Sequence, residues 1–153
     1  MASNGISINW GGLEESLNRA TANVSNTKQL MLEIGVAMKS QTVKRFHAGV
    51  SPDGEAWEEI QYTRRDSKGR PRKGKAKPLL DTGRLRDSIS VNASAAEVHV
   101  GSGVEYARIH QLGGQAGRGR KTTIPARPYL GLSEEDQEEI TGLVQRHLEG
   151  SFE

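Results

Sequence analysis

The sequence predicts an α+β fold in which a small antiparallel β-sheet packs against two long helices and a long basic loop leaves the body. Helical periodicity of apolar residues predicts the two helices, over residues 27–48 and 133–149. Alternating apolar and polar residues within 86–102 predict a hairpin at the centre of the sheet. Both helices are expected to cover this sheet. The hydrophobic period is lost at about residues 61–78, so we expect a flexible basic arm there.

Composition indicates one domain, over residues 1–153, with a modest core. Only 34% of the 153 residues are hydrophobic and 18 are glycine, so many residues must lie in loops or on the surface. The absence of cysteine excludes disulfides and thiolate metal sites. Apolar runs are only a few residues long, and the N-terminus lacks a signal-peptide pattern. We therefore expect no membrane contact and assembly in a cytoplasm.

The N-terminal third is expected to hold a short strand, a short helix and the first long helix. Ile6 and Ile8 alternate with polar residues, which predicts the strand, and Leu13 and Leu17 have helical spacing. Over residues 27–48 a second apolar group widens the main stripe to two faces. The stripe comprises Leu30, Ile34, Ala37 and Met38, and the second group comprises Met31, Leu32, Val36, Val43 and Phe46. This helix is either buried centrally in its own chain or packed on both its sheet and a neighbouring subunit, and the pattern favours neither.

Turn signals and alternation organise the middle of the chain. Residues 51–54, Ser-Pro-Asp-Gly, have favoured turn residues at each position, and Trp57 is expected to anchor this loop on the body. Apolar residues alternate with polar ones over 88–93 and again over 97–100, which predicts the two hairpin strands. A further short strand is expected over 122–124.

The C-terminal helix has a clear start signal. Ser133 is a favoured N-cap, and Asp136 follows three residues later, as in a capping box. The acidic residues at 134–139 complement the positive end of the helix dipole, which is a structural reason for their presence. Gly150 is expected to end the helix.

Charge is distributed unevenly although the net charge is only +2. Residues 61–80 contain eight basic residues against one acidic residue, whereas residues 133–153 contain seven acidic residues against one basic residue. The basic arm comprises Arg64, Arg65, Lys68, Arg70, Arg72, Lys73, Lys75 and Lys77. It is compatible with contact to DNA phosphates, with contact to an acidic surface of an adjacent subunit, or with a solvated loop that orders only on assembly.

The stretch from Val104 to Ser133 carries the strongest backbone signals. Tyr106 and His110 lie four residues apart, so a short helix places them on one face. Glycines at 113 and 114 then end the helix, and a loop is expected over residues 115–121. Prolines at 125 and 128 restrict the backbone on both sides of Arg127. The residues that follow as expected anchors are Tyr129 and Leu130.

Three sets of motifs occur in this chain in a fixed order. They are R-F-H-A-G-V-S-P-D-G-E-A-W, then K-P-L-L-D-T-G-R-L-R-D-S-I, then Y-A-R-I-H-Q-L-G-G with I-P-A-R-P-Y-L-G-L-S-E-E-D. In order and spacing they resemble the phage virion morphogenesis family of Mu-like and related tailed phages, whose members are described as tail-completion or head–tail joining proteins. The resemblance covers nearly the whole chain.

The resemblance implies a structural virion protein of the head–tail neck. The expected form is a ring, a hexamer, that joins the tail to the head connector and contacts other neck and tail proteins. Alternatives in the same class are a tail terminator and a capsid assembly factor. An alternative from another class is a sequence-independent DNA-binding module built on the basic arm, with non-specific contact to phage DNA.

Within the third motif we predict six candidate interface residues. They are Tyr106, His110, Gln111, Arg127, Pro128 and Tyr129. A role in keeping the fold is equally compatible with the motif.

Enzyme-like strings are present but incomplete, and we predict no catalytic residue, metal site or cofactor. Leu79-Leu80-Asp81-Thr82-Gly83 matches the aspartic protease string, but Arg84 follows where a small residue is expected. Residues 69–75 match most of a P-loop, but Ala76 replaces the Ser or Thr that holds magnesium. The four histidines, His47, His99, His110 and His147, lack metal-ligand spacing.

Overall fold

The computed structural model describes residues 27–60, 67–70 and 77–149. The predicted strand at Ile6 and Ile8, the helix at Leu13 and Leu17, and the helix end at Gly150 lie outside these residues. Most of the basic arm lies outside them too. The described part mixes helices with small two-stranded antiparallel sheets, as an α+β fold does.

The first long helix, α1, spans Thr27–Ala48. Leu30, Ile34 and Met38 point into the core, at 1%, 4% and 8% exposure. Gly49 ends the helix with φ 75°, a left-handed conformation that glycine adopts without a side-chain clash. The second apolar group is only partly buried: Met31 is buried, whereas Leu32 and Val36 are 43% and 57% exposed.

A β-hairpin forms the main sheet, as the alternation predicts. Strand β1, Ile89–Ala93, pairs antiparallel with β2, Val98–Ser102, so that Val91 faces Val100 across the ladder. Before β1 the chain makes one turn of helix, α2, Arg84–Asp87. The expected hairpin range of 86–102 therefore began three residues too early, since Ser88 ends this helix.

Helix α1 lies directly on this sheet. A Cβ at Gly35 would come within 2.3 Å of Val91 Cγ1 and 2.7 Å of Val98 Cγ2. Both distances are below van der Waals contact, so only glycine permits this approach.

The last helix, α4, spans Glu134–Glu149 and packs mainly on α1. Ile140 joins the core cluster of Leu30, Ile34 and Met38, against which the half-buried Val98 and Val100 also pack. The expectation that both long helices cover the sheet therefore holds for α1, whereas the main neighbour of α4 is α1. The predicted capping box is confirmed: Ser133 Oγ accepts from Asp136 N at 3.1 Å, and Asp136 Oδ2 accepts from Ser133 N at 2.8 Å.

A second two-stranded sheet is separate from the first. Strand β3, Gly114–Ala116, pairs antiparallel with β4, Thr122–Ile124, and a 3₁₀ turn at Arg118–Arg120 joins them. Strand β4 was predicted, whereas residues 115–121 were expected to be a loop, so β3 corrects that expectation. Helix α3, Ala107–Leu112, leads into β3.

A second core cluster lies beneath the loops. It comprises Phe46, Trp57, Leu85, Ile89, Ala107, Tyr129 and Leu130. The Phe46 ring lies 5.7 Å from the Trp57 ring, edge to face, and 5.1 Å from the Tyr129 ring. The predicted anchors Trp57, Tyr129 and Leu130 are thus confirmed as buried.

Candidate functional site

The candidate site is built around helix α3 and the extended segment 124–131 that crosses it. The helix ends at Gly113 with φ 72°, and a Cβ there would meet Ala126 N at 2.9 Å and Ile124 O at 3.0 Å. Arg127 N donates a hydrogen bond to His110 O at 2.7 Å. The glycine therefore allows the segment to lie against the end of the helix.

Gln111 fixes the segment with one buried amide. Its Oε1 accepts hydrogen bonds from Tyr129 N and Leu130 N, each at 3.0 Å, and its Nε2 donates to Leu130 O at 3.0 Å. The side chain is only 8% exposed. We call this arrangement the Gln111 clamp.

Tyr129 is a core residue in this chain. It is 1% exposed, and its hydroxyl donates to Ala107 O at 3.0 Å. Burial raises the pKa of this hydroxyl to about 12, so it remains a donor at neutral pH.

Arg127 fastens a second irregular segment. It is 8% exposed, and its Nε donates to Glu58 O at 2.9 Å. Its Nη2 lies 3.5 Å from Glu59 O. Trp57 Nε1 donates to Pro128 O at 2.9 Å, so residues 57–59 and 127–128 are held together from both sides.

Tyr106 and His110 lie at the surface of the same region. Their rings lie 5.8 Å apart, edge to face, which confirms that they share one face of a helical turn. The Arg84 guanidinium lies 6.0 Å from the centre of the Tyr106 ring, which is 36% exposed as a residue. This arrangement forms an aromatic and cationic rim.

His110 has one unsatisfied buried atom. No donor or acceptor in the described parts of the chain bonds to its Nδ1. Burial lowers the pKa of His110, and the positive charge of Arg127 lowers it further, so the neutral imidazole is favoured.

A cleft of about 480 Å³ opens between these loops. Its charged lining residues are the acids Glu58, Glu59 and Asp81 and the bases Lys77, Arg84 and Arg127. Its other walls include Ile60, Leu79, Tyr106, His110, Ile124 and Pro125. The cleft thus combines charges of both signs with apolar walls.

The enzyme-like strings lie partly within the described residues. Asp81 lies in a turn that leads into helix α2, and Thr82 Oγ1 accepts from Arg84 N at 3.3 Å. Most of the P-loop-like string lies outside the described residues. Over residues 27–60, 67–70 and 77–149, no group of three His, Asp or Glu side chains is arranged to hold a metal ion.

Three residues of the basic arm lie within the described ranges. Lys68 and Arg70 are exposed, and Lys77 Nζ donates to His47 O at 3.4 Å. The other five, Arg64, Arg65, Arg72, Lys73 and Lys75, lie outside them.

The six predicted interface residues thus divide by burial. Gln111, Arg127 and Tyr129 are buried and bonded within the chain, whereas Tyr106, His110 and Pro128 reach the surface. Sequence reasoning missed the basic turn between β3 and β4, which carries Arg118, Arg120 and Lys121. Its signal was the absence of any acidic residue between Glu105 and Glu134.

Taken together, the described residues form a surface of irregular loops that buried side chains hold in place. Comparison with known proteins gives the family: the model of the phage virion morphogenesis family matches residues 8–149, and the chain belongs to that family.

Relatives in this family are similar over most of their length. The chain is 34% identical to "Mu-like prophage FluMu G protein 2" of Haemophilus influenzae, over 90% of this chain and 89% of the relative. It is 29% identical to "Tail completion protein S" of Escherichia phage P2, over 90% and 91%. It is 27% identical to "Putative capsid assembly protein G" of Escherichia phage Mu, over 84% of each. No solved structure matches the chain significantly. No helix in the described ranges is long and apolar enough to cross a membrane.

Proposed function

We propose that this protein is a non-enzymatic, ring-forming adaptor of the phage head–tail neck that joins the tail to the head connector. Family membership over residues 8–149 carries this proposal. The name of the phage P2 relative, a tail completion protein, supports the tail side of the assignment. The protein would be assembled in the host cytoplasm and retained in the virion neck as a single domain.

The form that we propose is a homo-oligomeric ring, a hexamer. A ring repeats one head-to-tail interface, so each contact need only be modest. Leu32 and Val36, one turn apart on α1 and both exposed, support a second copy of this chain as the occupant of that face.

The surface that we propose for neck partners is the rim of the cleft. Tyr106 and His110 reach solvent there, Pro128 reaches solvent on the same crossing segment, and aromatic side chains are enriched at protein interfaces. In this proposal three buried residues position the loops that carry the rim through their hydrogen bonds. They are Gln111, Arg127 and Tyr129.

The name of the phage Mu relative favours a second candidate, a capsid assembly factor, and a tail terminator is a third. A tail terminator or neck adaptor stays in the finished particle, whereas an assembly factor leaves it. Cryo-electron microscopy of the intact neck separates these roles: ring density that accepts this chain supports a permanent neck component. Absence of the chain from finished particles refutes that component and favours the assembly factor.

Complementation of a phage that lacks this gene tests the rim. Tyr106→Ser is expected to leave the protein folded and to reduce the number of particles with tails joined to heads. Leu112→Ser is the matched control, because Leu112 is the last residue of the helix that Tyr106 precedes, is 61% exposed and does not line the cleft. Equal joining by both variants and the wild type would remove the rim from the proposal.

The basic arm, residues 61–78, has a partner in this proposal, either DNA phosphates or an acidic surface of an adjacent subunit. Neutralisation of Arg70, Arg72, Lys73 and Lys75 is expected to block joining without affecting the free protein. Normal joining by this variant would show that the arm serves no partner.

A further inference from the structure

The strands β3 and β4 and the turn between them form a narrow ribbon, residues 114–124, which we call the basic ribbon. Each strand has only three residues. The turn is tight because Gly117, Gly119 and Arg120 take left-handed φ angles of 78°, 71° and 54°. Because β3 and β4 pair only with each other in the described structure, the ribbon is two strands wide.

The ribbon is anchored at its base and exposed at its tip. A Cβ at Gly114 would lie 3.6 Å from Ile109 Cγ1, and Ile124 is half-buried against the cleft. Gln115 Nε2 donates to Thr123 Oγ1 at 3.3 Å, which links the strands on their exposed side. All residues from 117 to 123 are exposed.

The exposed tip is strongly cationic. Arg118, Arg120 and Lys121 fall within four residues, and residues 107–133 contain five Arg or Lys but no Asp or Glu. Within the described chain, no residue forms an ion pair or side-chain hydrogen bond with these three cations. Their charge is therefore not used to stabilise that part of the fold.

We propose that the basic ribbon binds the phosphate backbone of duplex DNA without sequence preference. A two-stranded ribbon fits a DNA groove about 12 Å wide. Guanidinium groups donate hydrogen bonds to phosphate oxygens, and neutral amides and hydroxyls add to such contacts. Gln115, Thr122 and Thr123 supply those neutral groups along the strands.

The chemistry of the ribbon favours DNA over an acidic protein partner. Protein interfaces are centred on buried aromatic or apolar anchors, and residues 117–123 are all Gly, Arg, Lys or Thr. Contacts to phosphates use cations and hydroxyl groups and do not require an apolar anchor. Within this chain the acidic start of α4 carries the opposite charge, but its Asp136 is already paired with Arg45 and caps its own helix.

This inference goes beyond the structural role proposed above and does not depend on it. It also differs from the proposal for the basic arm, because the ribbon is a β-hairpin at residues 114–124, whereas the basic arm is residues 61–78.

Fluorescence anisotropy with the full chain and labelled duplex DNA tests the inference. Titrations between about 50 and about 200 mM salt give the slope of log affinity against log salt. The test variant is Arg118→Gln/Arg120→Gln/Lys121→Gln. The matched control is Lys28→Gln/Lys39→Gln/Lys44→Gln, which removes the same charge from exposed side chains of α1. A second variant, Arg118→Gln/Lys121→Gln, leaves the left-handed Arg120 intact in case the triple variant is less well folded.

We expect the ribbon variant to bind DNA at least about tenfold more weakly and to lower the salt slope by about 2.7, at about 0.9 per lost phosphate contact. The α1 control is expected to bind within about twofold of the wild type, and two unrelated duplexes are expected to bind alike. Circular dichroism checks that each variant is folded.

Several results would overturn the inference. They are no measurable binding by the wild type, an equal loss in the α1 control, and unchanged binding by both ribbon variants. Loss of self-association by a ribbon variant that still binds DNA normally would assign the ribbon to a protein partner instead. If the protein does not bind DNA, the proposed role in head–tail joining is still tested by complementation. Failure of the DNA-binding proposal is therefore distinguishable from failure of the proposed function.

Discussion

Replacing Gln111 with leucine tests whether a residue of the third motif keeps the fold or serves an interface. Leucine is close in volume to glutamine but can neither donate nor accept a hydrogen bond. Three backbone groups lose their partner in the variant: Tyr129 N–H, Leu130 N–H and Leu130 C=O.

The size of the effect follows from these three groups. A buried polar group left without a partner costs about 1–3 kcal/mol, so three cost about 6 kcal/mol. Burial of the leucine side chain returns about 2 kcal/mol. We therefore expect the free energy of unfolding to fall by about 4 kcal/mol, a large share of the roughly 5–15 kcal/mol that stabilises a typical domain.

Urea denaturation followed by circular dichroism measures this loss directly. The control is Leu112→Ala, one residue away and 61% exposed, which is expected to change the free energy of unfolding by less than about 0.5 kcal/mol. If Gln111→Leu unfolds within about 1 kcal/mol of the wild type yet fails to assemble, the clamp reasoning is refuted and Gln111 acts at an interface.

Three further predictions concern the packing and the pH response. Gly35→Ala is expected to lower the free energy of unfolding by about 1–2 kcal/mol, because the clash with the sheet outweighs the gain in helix propensity. Gly142→Ala is expected to raise it by about 0.5–1 kcal/mol, because a Cβ there meets only the Arg146 side chain. Urea denaturation that shows a loss of stability in both variants would contradict this prediction. Asp136→Asn is expected to cost about 3 kcal/mol, since it leaves the buried charge of its partner on α1 unpaired, and an unchanged thermal midpoint would argue against that ion pair. Because the folded pKa of His110 is lowered, the unfolded chain binds protons more readily, so stability should fall as pH drops below the unfolded pKa of about 6.5, and His110→Gln should flatten this part of the profile. Identical profiles for the variant and the wild type would assign the pH response to other groups.

Local signals in the sequence predicted the elements whose geometry depends on neighbouring residues. Helix α1, the hairpin and the capping box of Ser133 and Asp136 follow from periodicity or from residues three apart. The shared face of Tyr106 and His110 follows from helical spacing.

Long-range contacts decided what the sequence did not predict. Strand β3 has only three residues and begins with glycine, so its pattern is too short to recognise, and its pairing depends on the close packing at Gly113. The position of α4 on α1 depends on Arg45 and Asp136, which are 91 residues apart.

The candidate site was predicted as a set of residues but not as an arrangement. A motif names Gln111, Arg127 and Tyr129 beside Tyr106 without separating buried from exposed side chains. The buried ones bond to backbone groups of irregular loops, such as Glu58 O, and sequence carries no signal for such partners. The interface role of the six residues stays a prediction.

Buried polar side chains explain how this chain keeps irregular loops in place. The segment 128–131 is in neither a helix nor a strand, so its buried backbone groups need other partners. Trp57 donates to the carbonyl of residue 128, Gln111 bonds at residues 129 and 130, and Arg45 donates to the carbonyl of residue 131 at 3.1 Å. These donors come from three separate parts of the chain, so the segment is fixed only when the whole domain is folded. Loss of assembly in a variant of the motif is therefore evidence for an interface only when the free energy of unfolding is unchanged.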